Sequence, residues 1–201
     1  MSPFLPEGYR TPEPKGGKYF KPKEGESRVR ILDSPILGYE GWTVPNHQHK
    51  NGQPVRRKLD DFPEGSIDSK KGSKHFWAVP CWNYATNSVQ VWEITQNTIQ
   101  TAIEGLVYSK DWGDPKRYDL IIQREGKGLD TTYQVMPAPP KPAAQEIRDA
   151  WTALRSNGFD LNRLFSNGDP FEAGASAPAD VSPDAWDEVN PPPATEEEIP
   201  F

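Results

Sequence analysis

Aromatic side chains are unusually frequent in this sequence, and several lie near basic residues. The 201 residues include seven tryptophans and seven tyrosines, more than the core of a small domain needs. Trp77, Trp82 and Trp92 stand in apolar segments that have cations nearby. Aromatic rings stack on bases and cations pair with phosphates, so together they can bind a single nucleic-acid strand without sequence preference. Any one of these rings can equally well fill the core.

Alternation along the chain separates inward from outward positions in three segments. With the apolar residues of Arg28–Leu32 facing inward, the two arginines of that segment face outward. In segment 89–94 the two valines are predicted to face inward, which leaves Trp92 facing outward. In segment 75–82 the odd-numbered residues form the more apolar face. A register shift at Pro80 would exchange the faces of that segment. The nucleic-acid contacts predicted from these segments are Arg28, Arg30, Phe76, Trp82 and Trp92.

A long basic loop is predicted over residues 43–73, where histidine, glycine, proline and charged residues replace most apolar ones. From Lys15 to Lys74 the sequence has 13 basic and eight acidic residues, a net charge of +5. A charge run is most often only a solvated surface. Beside aromatic strands, however, a mobile basic loop can clamp a phosphate backbone, and we expect that role here. The predicted phosphate contacts are Arg56, Arg57, Lys58, Lys70, Lys71 and Lys74.

Neither a metal site nor a catalytic centre is predicted. The spacing of His47, His49, His75 and Cys81 matches no zinc-finger or zinc-ribbon pattern. The sequence has no Walker loop, no nucleophile elbow and no His-Glu-x-x-His motif. Cys81 lies in an apolar segment, which predicts an inert, buried thiol. We therefore predict a protein that binds rather than catalyses and that needs no cofactor.

Short strands and two helices are predicted to position these residues. The 22 prolines and 16 glycines favour strands joined by turns over long helices. Strand-like segments cover approximately residues 28–32, 75–82, 89–94, 118–123 and 131–136. Apolar residues at helical spacing predict one helix after Thr95 and a last helix from Pro142 to Asn157. This order predicts a mainly β, OB-fold-type small antiparallel barrel with one interposed helix and one C-terminal helix.

The charge distribution divides the chain. Nine of its 29 acidic residues lie from Asp169 onward, where there is no lysine or arginine, so residues 1–168 hold 23 basic and 20 acidic residues, a net charge of +3. A segment so acidic and so poor in apolar residues cannot bury enough surface to order itself. We predict three parts: a flexible N-terminal arm at 1–18, an OB-fold domain at 19–165 and a disordered acidic tail at 166–201.

The tail ends in Glu196-Glu197-Glu198-Ile199-Pro200-Phe201, which resembles the acidic tip of bacterial single-stranded DNA-binding proteins. The body resembles the single-stranded DNA-binding proteins of tailed bacteriophages in segments 19–32, 89–94 and 124–130. The resemblance implies an OB-fold that coats single-stranded DNA in phage replication, recombination and repair, in the cytoplasm of the infected bacterial host. Some phage members hold zinc with three cysteines and a histidine. This chain has one cysteine, so that site is not expected.

The resemblance also implies two roles for the tail. In the bacterial family the tip binds partner proteins through its terminal phenylalanine, and the acidic arm competes with DNA for the basic groove. The alternative is an OB-type module whose ligand is another protein and whose acidic tail is only solubilising. No apolar run is long enough to span a bilayer, so no membrane partner is predicted. The residues predicted to bind replication or recombination proteins are Glu196, Glu197, Glu198, Ile199, Pro200 and Phe201.

Overall fold

Our computed structural model describes residues 17–48, 50, 52–60 and 72–173. In these ranges the chain forms β1 (Tyr19–Phe20), β2 (Gly25–Ile31), β3 (Ile36–Trp42), β4 (Pro54–Lys58), β5 (Lys74–Asn83), β6 (Ser88–Ile94), α1 (Asn97–Val107), β7 (Asp119–Glu125), β8 (Thr132–Pro137) and α2 (Gln145–Ser156). Short 3-10 helices cover Pro115–Arg117, Gly128–Asp130 and Leu161–Ser166. The fold is therefore mainly β, as predicted. No helix in the described ranges is long and apolar enough to cross a membrane.

All eight strands belong to one mixed sheet. Its hydrogen-bonded path runs β1-β6-β5-β2-β7-β8, and β3 and β4 form a hairpin that extends the sheet beside the first half of β5. Every pair is antiparallel except β1 with β6. The five predicted strands correspond to β2, β5, β6, β7 and β8, whereas the other three were not predicted. Among the residues described, β1 and β8 at the two ends of the path do not pair, so the sheet is not closed.

Pro80 lies in the middle of β5, although proline cannot donate a backbone hydrogen bond. Its carbonyl accepts from the Leu32 N–H at 3.0 Å. The nitrogen of a strand residue points to the same side as its carbonyl, so the Pro80 nitrogen faces the place where pairing with β2 ends and pairing with β3 begins. Val91, opposite Pro80 on β6, donates its N–H to the carbonyl of Lys18 instead. The proline therefore deprives no neighbour of a ladder bond, and β5 keeps its register with β6 on both sides of it.

Both faces of the central strands are covered, and this produces two cores. The first core includes Val29, Val79, Cys81, Trp92 and Ile94, together with Ile99 and Ile103 of α1. The second core includes Phe76, Trp82 and Val91, together with Ile147 and Trp151 of α2 and Leu164 of the following 3-10 helix. Successive residues of a strand point to opposite faces, so Val91 and Trp92 enter different cores. At its centre this sheet has no solvent-facing side.

The two α-helices form where helical spacing predicts them. α1 begins one residue after Gln96, whose carbonyl accepts from the N–H groups of Ile99 and Gln100 at 3.1 Å. α2 buries Ile147 and Trp151 and is capped at Asn157. The next residue, Gly158, has a φ of +88°, which glycine adopts without steric cost and which turns the chain back toward the sheet.

The folded body extends beyond the predicted boundary at residue 165. The Phe171 ring packs against Phe159 with 5.1 Å between centroids, and the Asp160 N–H donates to the Pro170 carbonyl at 3.1 Å. Asp169 forms an ion pair with Lys18. Residues 166–173 therefore belong to the body, and their assignment to the disordered tail is wrong. The rest of the predicted tail, with its tip, and residues 1–16 of the predicted arm lie outside the described residues.

Gly38 allows β3, β4 and the C-terminal segment to approach one another. A Cβ atom at this position would collide with the Arg57 carbonyl oxygen and lie 3.0 Å from the rings of Phe76 and Phe165. We expect Gly38→Ala to lower the free energy of unfolding by about 1–3 kcal/mol, because neither backbone nor ring can move away without loosening the hairpin. Denaturant unfolding measures the change.

Gly105 provides the matched control for this substitution. It lies in α1 with no atom within 4 Å of an added Cβ and without a positive φ. Gly105→Ala should raise the free energy of unfolding by about 0.5–1 kcal/mol, since alanine is the better helix former. Equal effects of the two substitutions would contradict the close approach at Gly38.

Candidate nucleic-acid interface

The prediction that Arg30 faces solvent is wrong. β7 pairs with β2 so that Asp119 lies directly opposite Arg30 on the same face of the sheet. The Arg30 Nε donates to Asp119 Oδ1 at 2.6 Å, and neither side chain is exposed. Arg28 reaches the same carboxylate, with its Nε 2.9 Å from Oδ2, but 39% of its side chain remains exposed. Only Arg28 of this pair can therefore contact a ligand at the surface.

Asp119 is the centre of a buried polar network. The Tyr84 hydroxyl donates to Oδ1 at 2.9 Å, and the Arg28 guanidinium lies 5.2 Å from the centroid of the Tyr84 ring. Burial by itself would raise the pKa of Asp119, but the charge of Arg30 and the hydrogen bonds from its donors outweigh burial and hold that pKa below its usual value. Burial and the Asp119 charge raise the pKa of Tyr84 to about 12. The network joins β2, β7 and the turn after β5.

The three aromatic residues predicted to stack on bases are buried. Phe76 and Trp82 lie in the second core, and Trp92 lies in the first, where its ring packs edge-on against Phe20 at 5.3 Å. For segment 75–82 alternation separated the two faces correctly, but it could not show that α2 covers the face of Phe76 and Trp82. For segment 89–94 the predicted faces are exchanged, because Trp92 lies opposite Val79 and enters the first core, whereas Val91 enters the second. The predicted roles of Phe76, Trp82 and Trp92 as base platforms are therefore wrong.

Part of the predicted basic loop is a strand. Arg56, Arg57 and Lys58 lie in β4, which pairs with β3 along its whole length. Arg56 is largely buried and donates from Nε to Glu40 at 2.9 Å, while its Nη2 lies 3.1 Å from Glu93 Oε1. Lys58 and Lys74 are exposed at the ends of β4 and β5. The predicted contacts Lys70 and Lys71 lie outside the described residues.

A row of aromatic residues crosses the sheet where β3 joins β5. The register places Arg57, Tyr39 and His75 side by side on one face, with Trp77 two residues further along β5. The Tyr39 and His75 ring centroids are 5.8 Å apart, and those of His75 and Trp77 are 6.4 Å apart. These four side chains are half-buried, so each presents part of its surface to solvent. We call Tyr39, His75, Trp77 and Arg57 the aromatic patch.

The indole of Trp77 adds a hydrogen-bond donor to the side chains of the patch. Its Nε1 is buried and has no hydrogen-bond partner among the described residues. Buried donors nearly always have partners, so this N–H is an exception among the described residues. The sequence pointed to Trp77 as an inward residue and did not include Tyr39 or His75. Leu37 and Tyr39 are two residues apart, as residues on one face of a strand are. This spacing could have predicted β3 and placed Tyr39 in the sheet beside His75.

A cleft of about 650 Å³ lies on another part of the surface, between β1 and the open ends of β7 and β8. It has a mixed aromatic, basic and acidic lining. Its lining includes Tyr19, Lys21, Glu40, Arg56, Glu93, Gln96, Arg124 and Tyr133. None of Lys21, Arg124 or the two tyrosines was among the predicted contacts, because their convergence depends on how the sheet curls.

The described residues contain no group of three or more histidine, cysteine or acidic side chains placed to hold a metal ion. Cys81 is a free, fully buried thiol, and burial raises its pKa. A thiol in such surroundings is unreactive, because the nucleophilic form is the thiolate.

Fold and surface together define a class of protein: a mainly β domain with an aromatic and basic patch at one end of its sheet. Comparison with protein families, with curated proteins and with solved structures gives no match for this chain. The function therefore has to be inferred from the residues themselves.

Proposed function

We propose that the protein is a sequence-independent single-stranded DNA-binding protein that coats single strands in phage replication, recombination and repair. The observation that carries the proposal is the aromatic patch, in which three neighbouring rings lie beside Arg57, with Lys58 and Lys74 exposed nearby. Every base offers a π-face and every phosphate a charge, so this combination binds a strand without reading its sequence.

The order of the strands supports an OB-type arrangement. In this interpretation β2, β5, β6, β7 and β8 are the five barrel strands, and α1 is the helix between the third and the fourth. OB-folds are often partly open and bind oligonucleotides on the face of their second and third strands and on adjacent loops. Here the second strand is β5, where the patch lies, and the connection before it holds the β3–β4 hairpin.

In this proposal the C-terminal tip has the part that the sequence resemblance implies. Residues 196–201 recruit replication or recombination proteins through Phe201, and the acids upstream compete with DNA for the basic surface. Residues 1–173 hold 23 basic and 22 acidic residues, a net charge of +1, and the remaining tail holds seven acids and no lysine or arginine. This charge asymmetry supports such a competition, because opposite charges on one chain attract. The site of action would be the cytoplasm of the infected bacterium.

Titration with oligothymidine tests the proposal directly. We expect a mobility shift and quenching of tryptophan fluorescence. With phosphate contacts from Arg57, Lys58 and Lys74, affinity should fall about 20-fold between 50 and 200 mM salt, since each contact to a single strand adds about −0.7 to the slope. A chain ending at residue 173 should bind more tightly than the full chain.

An unchanged fluorescence and no mobility shift on any single strand would refute the proposal. In that case, capture of a partner protein that depends on residues 196–201 would favour the protein-interaction module instead. Tight DNA binding with no gain on truncation would refute only the competition by the tail.

A further inference from the structure

We propose that the cleft between β1 and the β7–β8 ends is a separate subsite that binds one nucleotide whose base carries an exocyclic amino group. The proposal rests on the proposed function and deepens it, because it gives a strand-coating protein a base preference at one position. A volume of about 650 Å³ lies within the usual range for small-ligand sites.

Arg124 is the first element of the subsite. Its Nη1 donates to the Pro22 carbonyl at 3.4 Å, a long hydrogen bond, and its Nε is buried without a hydrogen-bond partner among the described residues. Lys21 is exposed on the same cleft. A guanidinium with a free, desolvated N–H gains most from an anionic acceptor, and a phosphate fits it in shape and charge. These two cations therefore form the phosphate side of the cleft.

Glu93 is the second element. Its Oε2 accepts from Arg56 Nη2 at 3.3 Å, whereas its buried Oε1 lies 3.1 Å from the same nitrogen as an ion pair and accepts no hydrogen bond in the described part of the chain. Burial raises the pKa of Glu93, and the charge of Arg56 opposes that rise. A carboxylate oxygen that Arg56 holds in place accepts well from an amino group, as acidic side chains do from the N4 amine of cytosine. Thymine has no such group.

The remaining lining suits a base rather than a free anion. Tyr19 and Tyr133 supply aromatic surface, and Tyr19 is 38% exposed. Gln96 adds an amide that can both donate and accept. The lining has three cations, Lys21, Arg56 and Arg124, against two carboxylates, Glu40 and Glu93, which leaves one positive charge for one phosphate. Arg56 also fastens β4 to β3 through Glu40, and a substitution of Glu93 leaves that pair intact, so Glu93 rather than Arg56 is the residue to vary.

The test compares oligodeoxycytidine with oligothymidine of equal length, with full-length wild type, Glu93→Gln and Arg124→Gln. Wild type should bind the cytidine strand at least fivefold more tightly than the thymidine strand. Glu93→Gln should remove most of that preference while thymidine affinity stays within twofold. Arg124→Gln should weaken binding of the cytidine strand about fivefold, because it loses the phosphate contact. Glu104→Gln and Arg117→Gln, exposed residues outside the cleft, control for the change of charge.

Three results would overturn the proposal: no cytidine preference in wild type, a preference that survives Glu93→Gln, or an Arg124→Gln effect no larger than that of Arg117→Gln. If Glu93→Gln does not fold, Arg124→Gln decides alone, since it lies on a different strand. None of these results touches the proposed function as long as wild type binds single strands. Failure to bind either oligonucleotide would refute both proposals together.

Discussion

Asp119→Asn should be the most destabilising polar substitution in the body, lowering the free energy of unfolding by about 3 kcal/mol or more. The change leaves the buried Arg30 without its counterion and weakens the bond to Arg28. Removing one partner of a buried pair costs about 3–5 kcal/mol, because the remaining charge stays desolvated. Urea unfolding at neutral pH measures the loss. Asp111→Asn, at an exposed carboxylate, is the control and should change stability by no more than about 0.5 kcal/mol.

The same network predicts a dependence on pH with a definite sign. The pKa of Asp119 is lower in the folded protein than its usual value, so the folded state holds the ionised form more strongly than the unfolded chain does. Its contribution to stability is complete above the unfolded pKa and is lost as the pH falls through the folded pKa. The stability of wild type should therefore approach that of Asp119→Asn in acid. A constant difference down to the acid limit would contradict the role of the carboxylate.

Local sequence patterns predicted the elements whose stability is local. β2, β5, β6, β7 and β8 alternate or are densely apolar, and α1 and α2 have apolar residues at helical spacing, so their own residues define them. β4 is different. Three of its five residues are consecutive cations, and it is a strand because β3 pairs with it and because Glu40 and Glu93 compensate Arg56. Such support comes from residues distant in sequence, and no local pattern contains it.

The candidate site was harder to predict than the fold for a related reason. Alternation gives two faces of a strand but does not identify the one that a later helix covers. α2 follows all the strands in sequence, yet Ile147 and Trp151 pack on the face that holds Phe76 and Trp82. The outward residues of a sheet become surface residues only where no later element lies on them. Where the β3–β4 hairpin meets β5, no later element in the described ranges covers the sheet completely, and the aromatic residues there retain exposed surface. Aromatic and basic side chains do lie together at this place, but they belong to residues other than the predicted ones.

Replacing two rings of the aromatic patch should weaken binding of single-stranded DNA more than any other surface change. For Tyr39→Leu combined with Trp77→Leu we expect at least about a 30-fold loss of affinity for oligothymidine, because stacking contributes about 1–3 kcal/mol per base. Leucine keeps apolar volume where Trp77 packs against the first core, so the fold should survive. Fluorescence anisotropy of a labelled strand measures the affinity, and the melting temperature of the variant verifies its folding.

The control is Tyr108→Leu, which removes a ring that is 80% exposed at the end of α1, outside the patch. It should leave affinity unchanged within about twofold, the scatter expected for a neutral surface change. Salt then separates stacking from charge. The double leucine variant should retain the salt slope of wild type, whereas Arg57→Gln should reduce that slope by about 0.7, since it loses one phosphate contact and no ring. If the double variant binds as tightly as Tyr108→Leu, bases do not stack on this patch, and a strand that still binds must do so through cations elsewhere on the body.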